Sequence, residues 1–223
     1  MTGVAAIVPA RNEQGRVGAT VDALRTIPAV SEIIVVDDAS TDETAAEAGR
    51  AGARVLRLAR NDGKGAALTR GAAATGASVL LLVDADLAES AAAVAVLLEP
   101  VLAGTADLVV AAPPREGGPS GFGLVEGFAR WGIRRLTGRE LSRPLSGQRA
   151  FRREVLEAAG GFAPRFGAET GLTVDALRAG YRVVEVPCEI SHARTGRDPA
   201  GFLHRARQGL DVAASLARRW RSR

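Results

Sequence analysis

The first 86 residues alternate between short apolar runs and stretches with helical spacing of apolar positions. The apolar runs predict strands at 5–9, 32–36, 55–58 and 79–83. The intervening stretches predict helices at 17–25, 43–52 and 65–76, with Ser40 or Thr41 capping the second. Strands that are apolar throughout are typical of a parallel sheet covered by helices on both faces. In such sheets ligands bind at the carboxyl ends of the strands.

The second half is less regular. Its pattern predicts helices at 90–102, 122–135, 153–159 and 171–179, and strands at 108–111, 148–151 and 182–189. A glycine- and proline-rich stretch at 113–123 predicts a surface loop, and 202–223 predicts a basic amphipathic helix. Because no linker-like segment interrupts the chain, the sequence predicts a single α/β domain, 1–223, with a Rossmann-like, mostly parallel sheet.

The composition indicates the cellular environment of the protein and the kind of partner that it binds. A net charge of +4 and a pI of 10.4 favour anionic partners, although an arginine-rich composition alone would produce the same values. The single cysteine, Cys188, excludes an internal disulfide and fits a reducing compartment. No signal-like segment follows Met1, and no apolar run approaches the roughly 18 residues of a membrane span. We therefore expect a cytoplasmic protein that is soluble or, at most, peripheral at the inner membrane face.

Two acidic clusters follow predicted strands. Asp84 and Asp86 flank Ala85 directly after the fourth strand, and two such carboxylates can share one Mg²⁺ or Mn²⁺ whose shell is completed by diphosphate oxygens and water. The simpler interpretation of this pair is that one of the two aspartates caps a helix. Asp37 and Asp38 follow the second strand, where carboxylates suit the hydrogen-bond donors of a nucleobase or ribose.

The segment 61–65 opens the third predicted helix with two glycines and Lys64, the only lysine in the chain. Glycines let the backbone approach a ligand closely, and a helix N-terminus favours phosphate. The spacing is not that of a P-loop. A lysine in a chain that otherwise uses arginine for its positive charge marks this position as a candidate phosphate or base contact.

Four motifs in order resemble those of family 2 glycosyltransferases of GT-A fold. They are VPARNE at 8–13, VVDDASTD at 35–42, NDGKG at 61–65 and DAD at 84–86. Each motif is weak by itself, but each stands at a strand end and together they cover the first 86 residues. Weaker similarity extends to about residue 210.

The resemblance implies roles for the residues of these motifs. Pro9, Arg11, Glu13 and Asp37 would line the nucleotide pocket, and Asp38 would meet the base. Lys64 would contact the base or the diphosphate. Asp84 and Asp86 would contact the ribose and the metal, and Asp86 would also be a catalytic residue.

Three later segments also resemble parts of these enzymes, two of them on the acceptor side. One of them, Ser146, Gly147 and Gln148, matches an acceptor loop. Glu169 matches the acidic residue at the reaction centre, where it would act as general base or orient the acceptor. The simpler interpretation of Glu169 is a negative charge that stabilises a helix N-terminus. Similar enzymes also use a late histidine as a metal ligand and loop arginines on the diphosphate. The corresponding residues here are His192, Arg194 and Arg197.

The resemblance divides the chain into a nucleotide-sugar half (1–112), an acceptor half (113–200) and the C-terminal basic helix (201–223). It implies metal-dependent transfer of a sugar from a UDP- or GDP-linked donor to a phosphate or hydroxyl acceptor, such as a polyprenyl phosphate or a small phosphorylated molecule. Two alternatives stay open, a nucleotidyltransferase that makes a nucleotide sugar and a non-catalytic nucleotide or nucleic-acid binding domain. No nucleic-acid partner is expected, because the basic residues are dispersed. Contact with an anionic membrane and homodimerisation stay open.

Overall fold

The structure, a computed structural model, describes residues 3–114, 122–191 and 199–221. The strands in these ranges are Val4–Ala10 (β1), Val30–Asp37 (β2), Arg54–Arg57 (β3), Val79–Leu82 (β4), Leu108–Ala112 (β5), Arg149–Arg152 (β6) and Val183–Pro187 (β7). The α-helices are Val17–Arg25 (α1), Thr44–Arg50 (α2), Lys64–Ala73 (α3), Leu98–Leu102 (α4), Phe122–Thr137 (α5), Arg153–Ala158 (α6), Ala168–Arg178 (α7) and Pro199–Arg221 (α8). None of the helices described in these ranges combines the length and apolar character of a membrane span.

The strands form one sheet in the order β3-β2-β1-β4-β6-β5-β7. Strand β6 runs antiparallel to both of its neighbours, and the other neighbouring strands are parallel. The predicted α/β fold with a mostly parallel sheet is therefore confirmed. Because β6 runs in the opposite direction, it begins at the edge where β4 ends, and Leu82 pairs with Arg149 in the register. Residues 146–148, the predicted acceptor loop, precede β6 and are thereby brought to the same edge as the acidic pair that follows β4.

Apolar side chains on the two faces of the sheet form two cores. Alternate residues of β1 point to opposite faces, so Ala6 and Val8 join one core while Ala5 and Ile7 join the other. The first core is covered by α1, α2 and α4, and the second by α3, α5, α6, α7 and α8. This two-sided burial is the physical reason that the strands are apolar throughout.

Three predicted helices differ in detail from the observed ones. Helix α2 begins at Thr44 without a side-chain cap, so the capping roles predicted for Ser40 and Thr41 are wrong. Both residues instead bond to Asn12, which joins the loops after β1 and β2. The stretch predicted as one helix at 90–102 is a 3₁₀ helix over Ala88–Leu97 followed by α4, and the three-residue spacing of its buried positions fits that period. Helix α7 begins earlier than the predicted residue 171.

Candidate active site

The candidate site is centred on Lys64, the first residue of α3. Its ammonium nitrogen Nζ lies 2.6 Å from Asp84 Oδ1 and 2.7 Å from Glu169 Oε1. Burial alone lowers the pKa of Lys64, but the carboxylates of Asp84 and Glu169 raise it by more, so the pKa stands well above its ordinary value. Three charged residues that are far apart in the sequence therefore meet at the carboxyl edge of the sheet. The strand-end argument predicts this for Lys64 and Asp84, and the family resemblance predicts it for Glu169.

The residues of the predicted acceptor loop lie against this charged cluster. Gln148 is fully buried, and its side-chain amide donates to Asp84 Oδ2 at 2.7 Å. Ser146 lies on the other side of the same amide, its hydroxyl 3.4 Å from Gln148 Oε1. A Cβ on Gly147 would stand 2.5 Å from Asp84 Oδ2 and 2.8 Å from Lys64 Nζ. Position 147 therefore has no room for a side chain beside the ion pair.

Backbone contacts of the 61–65 segment hold Lys64 in place. The two carboxylate oxygens of Asp38 accept hydrogen bonds from the backbone N–H groups of Asp62 and Gly63, at 2.8 and 2.9 Å. A Cβ on Gly65 would stand 2.2 Å from the carbonyl oxygen of Ala163, so glycine lets the start of α3 approach the segment that leads into α7. These contacts bring Lys64 to Glu169 on α7.

Asp37 has a different environment from its neighbour Asp38. It is fully buried, and its oxygens accept hydrogen bonds from the backbone N–H of Ser40 and from Nε of Arg57. Separate partners for the two acids explain how adjacent carboxylates are tolerated at the end of β2. The nucleotide contacts predicted for Asp37 and Asp38 stay predictions.

The turn that carries the acidic pair is fixed from α1. Ala85 is buried, and its carbonyl accepts a hydrogen bond from the hydroxyl of Thr20, which in turn accepts one from the backbone N–H of Ala88. Thr20 is itself fully buried, and sequence reasoning missed it. The sequence feature that could have indicated Thr20 is a hydroxyl side chain on the apolar face of α1, between Val17 and Val21.

Glu13 also faces this edge of the sheet. Burial raises the pKa of Glu13, Arg16 opposes the shift, and the negative charges of Asp86 and Asp84 add to it. The side chain pairs with Arg16 at 3.1 Å. The structure therefore places Glu13 within electrostatic reach of the acidic pair. Pro9 is half-buried at the end of β1 and Arg11 is exposed in the loop that follows.

The residues present fit a hard divalent cation. Asp84 and Asp86 offer carboxylate oxygens, the ligands that Mg²⁺ and Mn²⁺ prefer. Asp84 Oδ1 accepts a hydrogen bond from Lys64 and Oδ2 accepts one from Gln148, so these two neighbours orient the carboxylate at the site. Over the described part of the chain, His, Cys, Asp and Glu side chains form no group of three that could hold a metal. The remaining ligands would therefore come from a substrate, from water or from outside these ranges.

Three predicted site residues cannot be placed. His192, Arg194 and Arg197 lie within 192–198, outside the residues that the structure describes.

Comparisons with known proteins address the chain as a whole. A family model described as "Glycosyl transferase family 2" matches residues 5–160. A glucosyl-3-phosphoglycerate synthase of Mycolicibacterium smegmatis is 35% identical over 207 residues, covering 77% of this chain and 63% of that protein. An undecaprenyl-phosphate mannosyltransferase of Micrococcus luteus is 32% identical over 200 residues, covering 82% of each. The chain thus spans slightly less than two thirds of the synthase.

Solved structures agree with these relatives. A glucosyl-3-phosphoglycerate synthase of Mycobacterium tuberculosis, in complex with Mg²⁺ and UDP, superposes with a TM-score of 0.82 at 27% identity, covering 98% of this chain and 79% of that one. The same enzyme with Mn²⁺, UDP-glucose and phosphoglyceric acid gives a TM-score of 0.81 at 29% identity, with the same coverage.

Proposed function

The chain belongs to glycosyltransferase family 2, and from that premise we propose that it transfers a sugar from a nucleotide diphosphate donor to a phosphate- or hydroxyl-bearing acceptor. The predicted GT-A fold is confirmed by the solved structures. One observation carries the proposal. The lysine of the 61–65 motif, the first aspartate of the 84–86 motif and the predicted reaction-centre glutamate converge within hydrogen-bond distance at the carboxyl edge of the sheet.

We propose that Asp84 and Asp86 hold Mg²⁺ or Mn²⁺, with His192 as a further ligand. When bound, the cation neutralises negative charge that develops on the departing nucleotide diphosphate. The support is the carboxylate donor set and the metal in the relatives' structures. Those structures also hold UDP or UDP-glucose, so a UDP-linked donor is favoured over a GDP-linked one.

The remaining donor contacts follow from the family motifs. Pro9, Arg11, Glu13, Asp37 and Asp38 would line the nucleoside, and Arg194 and Arg197 would contact the diphosphate. Lys64 would bind a diphosphate oxygen once a cation competes with it for Asp84, because its ammonium then regains a donor to offer.

For the acceptor, we propose a molecule that carries a phosphate, bound by Ser146, Gly147 and Gln148. Both relatives are named for phosphorylated acceptors, phosphoglycerate and undecaprenyl phosphate. If a phosphate oxygen attacks, no base is needed. If a hydroxyl attacks, Glu169 would take its proton, and it must first give up its ion pair with Lys64.

A thermal-shift panel tests the donor. We expect UDP-glucose to raise the melting temperature when Mn²⁺ is present and much less when it is absent, with GDP- and dTDP-sugars as comparators. Incubation of a nucleoside triphosphate with a sugar phosphate serves as the control for the nucleotidyltransferase alternative. Pyrophosphate release in that control, or binding of polynucleotide without any nucleotide-sugar affinity, would contradict the proposal.

We further propose that an exposed face of α5 and α8 contacts an anionic membrane. This aromatic–arginine face consists of Phe128, Trp131 and Arg135 on α5 and Trp220 on α8. Phe128 stacks on Trp131 and Trp131 on Trp220, and the guanidinium of Arg135 lies 5.2 Å from the Trp220 ring centroid. All three aromatic side chains are exposed, Trp131 to 55%. Tryptophans beside a cation suit the interface of a bilayer.

The positive charge of α5 and α8 favours a lipid surface as the binding partner of the aromatic–arginine face. Helix α5 carries three arginines against one acid, and α8 carries five arginines against one acid. The two helices keep a positive excess even when Glu140 and Asp175, which pair with Arg134 and Arg219, are counted with them. A second copy of the chain would bring like charges together, whereas anionic head groups attract them. A polyprenyl-phosphate acceptor would be reached at such a surface.

We expect the protein to sediment with vesicles of phosphatidylcholine mixed with phosphatidylglycerol but not with phosphatidylcholine vesicles alone. Trp131→Ala is expected to weaken this binding about 5–10-fold, because an interfacial aromatic is removed. Leu102→Ala, at a 50% exposed leucine on α4, is the matched control. Sedimentation velocity without lipid decides between the partners. A dimer that Trp131→Ala dissociates, together with unchanged vesicle binding, would replace the membrane by a second copy.

A further inference from the structure

Arg149, the first residue of β6, is a fully buried cation beside the candidate site. Its guanidinium donates through Nε to the carbonyl of Ser146 and through a terminal nitrogen to the carbonyl of Pro144, each at 2.9 Å. The other terminal nitrogen donates to the hydroxyl of Thr173 at 2.6 Å. One side chain therefore braces both the loop that precedes β6 and helix α7.

Burial makes the positive charge of Arg149 energetically unfavourable. Within the described ranges, no carboxylate oxygen lies within ion-pair distance of its guanidinium nitrogens. Burial lowers the pKa of Arg149 to about 10, although Glu169 and Glu185 act to raise it, so the group stays charged at neutral pH. A buried cation is less favourable than an apolar side chain of similar volume unless its hydrogen bonds offset the desolvation. Packing alone does not account for an arginine at this position.

The peptide geometry of the 144–148 loop indicates a structural role for Arg149. The carbonyls of Pro144 and Ser146 point at the guanidinium, and the described peptide bonds are all trans. In a trans peptide the N–H points opposite to the carbonyl. The N–H groups of Leu145 and Gly147 therefore point away from Arg149, and Gly147 is the residue that packs against Lys64 and Asp84.

Arg149 is also linked to the predicted reaction-centre residue. Thr173, which accepts a hydrogen bond from Arg149, donates one to the backbone carbonyl of Glu169 at 3.0 Å. The same arginine therefore connects the acceptor loop to the first turn of α7.

We propose that Arg149 is a positioning residue that shapes the 144–148 loop into a subsite for an anionic acceptor group, phosphate or carboxylate. It turns the loop carbonyls inward, directs the N–H groups of Leu145 and Gly147 outward, and adds a positive charge behind them. Peptide N–H groups arranged in this way bind anions. This inference rests on the proposed sugar transfer and specifies the acceptor's charge.

Steady-state kinetics with UDP-glucose and Mn²⁺, using 3-phosphoglycerate as the charged acceptor and glycerol as the uncharged one, tests the proposal. In Arg149→Met the KM for 3-phosphoglycerate is expected to rise about tenfold or more, with the KM for the donor within about twofold of wild type. The preference for 3-phosphoglycerate over glycerol is expected to fall by a similar factor. Arg149→Lys keeps the charge and is expected to recover part of both losses.

Arg153→Met is the matched control. Arg153 also donates three side-chain hydrogen bonds, in its case all to backbone carbonyls, those of Ala72, Thr75 and Ala77, and it directly follows the opposite end of β6. Its loss is expected to lower stability without changing the acceptor KM. If Arg149→Met does not fold, Arg149→Lys decides alone, through its acceptor KM relative to its donor KM.

The outcomes separate this inference from the proposed function. A wild-type protein that transfers sugar to none of 3-phosphoglycerate, undecaprenyl phosphate and glycerol contradicts the proposed function. A wild-type protein that is active, with Arg149 variants whose acceptor preference is unchanged or whose donor and acceptor KM rise together, overturns the positioning role while the function stands.

Discussion

Replacing Asp86 with asparagine is expected to reduce metal-dependent sugar transfer by about a thousandfold. The substitution keeps the size of the side chain but removes one of the two carboxylate charges that the 84–86 turn offers to a divalent cation. A metal ion that stabilises a departing diphosphate contributes several kcal/mol, and about 1.4 kcal/mol corresponds to a factor of ten in rate. Initial rates measured across a Mn²⁺ titration check this, because weakened metal binding raises the Mn²⁺ concentration needed for half-maximal rate.

Asp22→Asn provides the control for Asp86→Asn. Asp22 lies on α1 with its side chain 67% exposed, so the same chemical change is made away from the cluster. Its variant is expected to keep the wild-type rate and the wild-type response to Mn²⁺. An Asp86→Asn enzyme that turns over at the wild-type rate at every Mn²⁺ concentration would remove Asp86 from the metal site.

Apolar patterning was sufficient to predict most of the fold. The runs that became β1, β2 and β4 are apolar at nearly every position, and a central strand of a sheet covered by helices on both faces buries such runs. The direction of β6 could not be read in this way. A four-residue strand is equally buried whether it runs parallel or antiparallel, and pairing between distant segments decides the direction.

The candidate site could be predicted where a motif stands at a strand end. Lys64 and Asp84 meet as the strand-end argument requires, whereas Glu169, which joins them from helix α7, was predicted only from the family resemblance. Arg149 and Thr20 were missed because neither stands in a motif and because a buried arginine or threonine contradicts ordinary patterning. Such exceptions are expected at functional sites, where local rules are broken to position chemistry.

Gly147→Ala is expected to lower sugar transfer about a hundredfold in a protein that remains folded. Gly147 does not have a positive φ, so alanine suits its backbone and the cost is steric. Gly147 precedes β6 by two residues and Asp84 follows β4 by two residues, and the pairing of Leu82 with Arg149 brings both to the same edge of the sheet. The new methyl group would stand 2.5 Å and 2.9 Å from the two Asp84 oxygens and 2.8 Å from Lys64 Nζ. Either the loop or the ion pair must move.

Overpacking of this kind costs about 1–3 kcal/mol of stability, whereas a shift of about 1 Å at reacting groups costs about a hundredfold in rate. Activity is therefore expected to fall far more than the melting temperature of Gly147→Ala. Gly127→Ala, in helix α5, is the matched control, because a Cβ there meets no atom within 4 Å. Alanine at 127 is expected to stabilise the helix by about 0.5–1 kcal/mol and to leave the rate unchanged. If Gly147→Ala transfers sugar as fast as Gly127→Ala, the close contact between this loop and the Lys64–Asp84 pair is not required for the reaction.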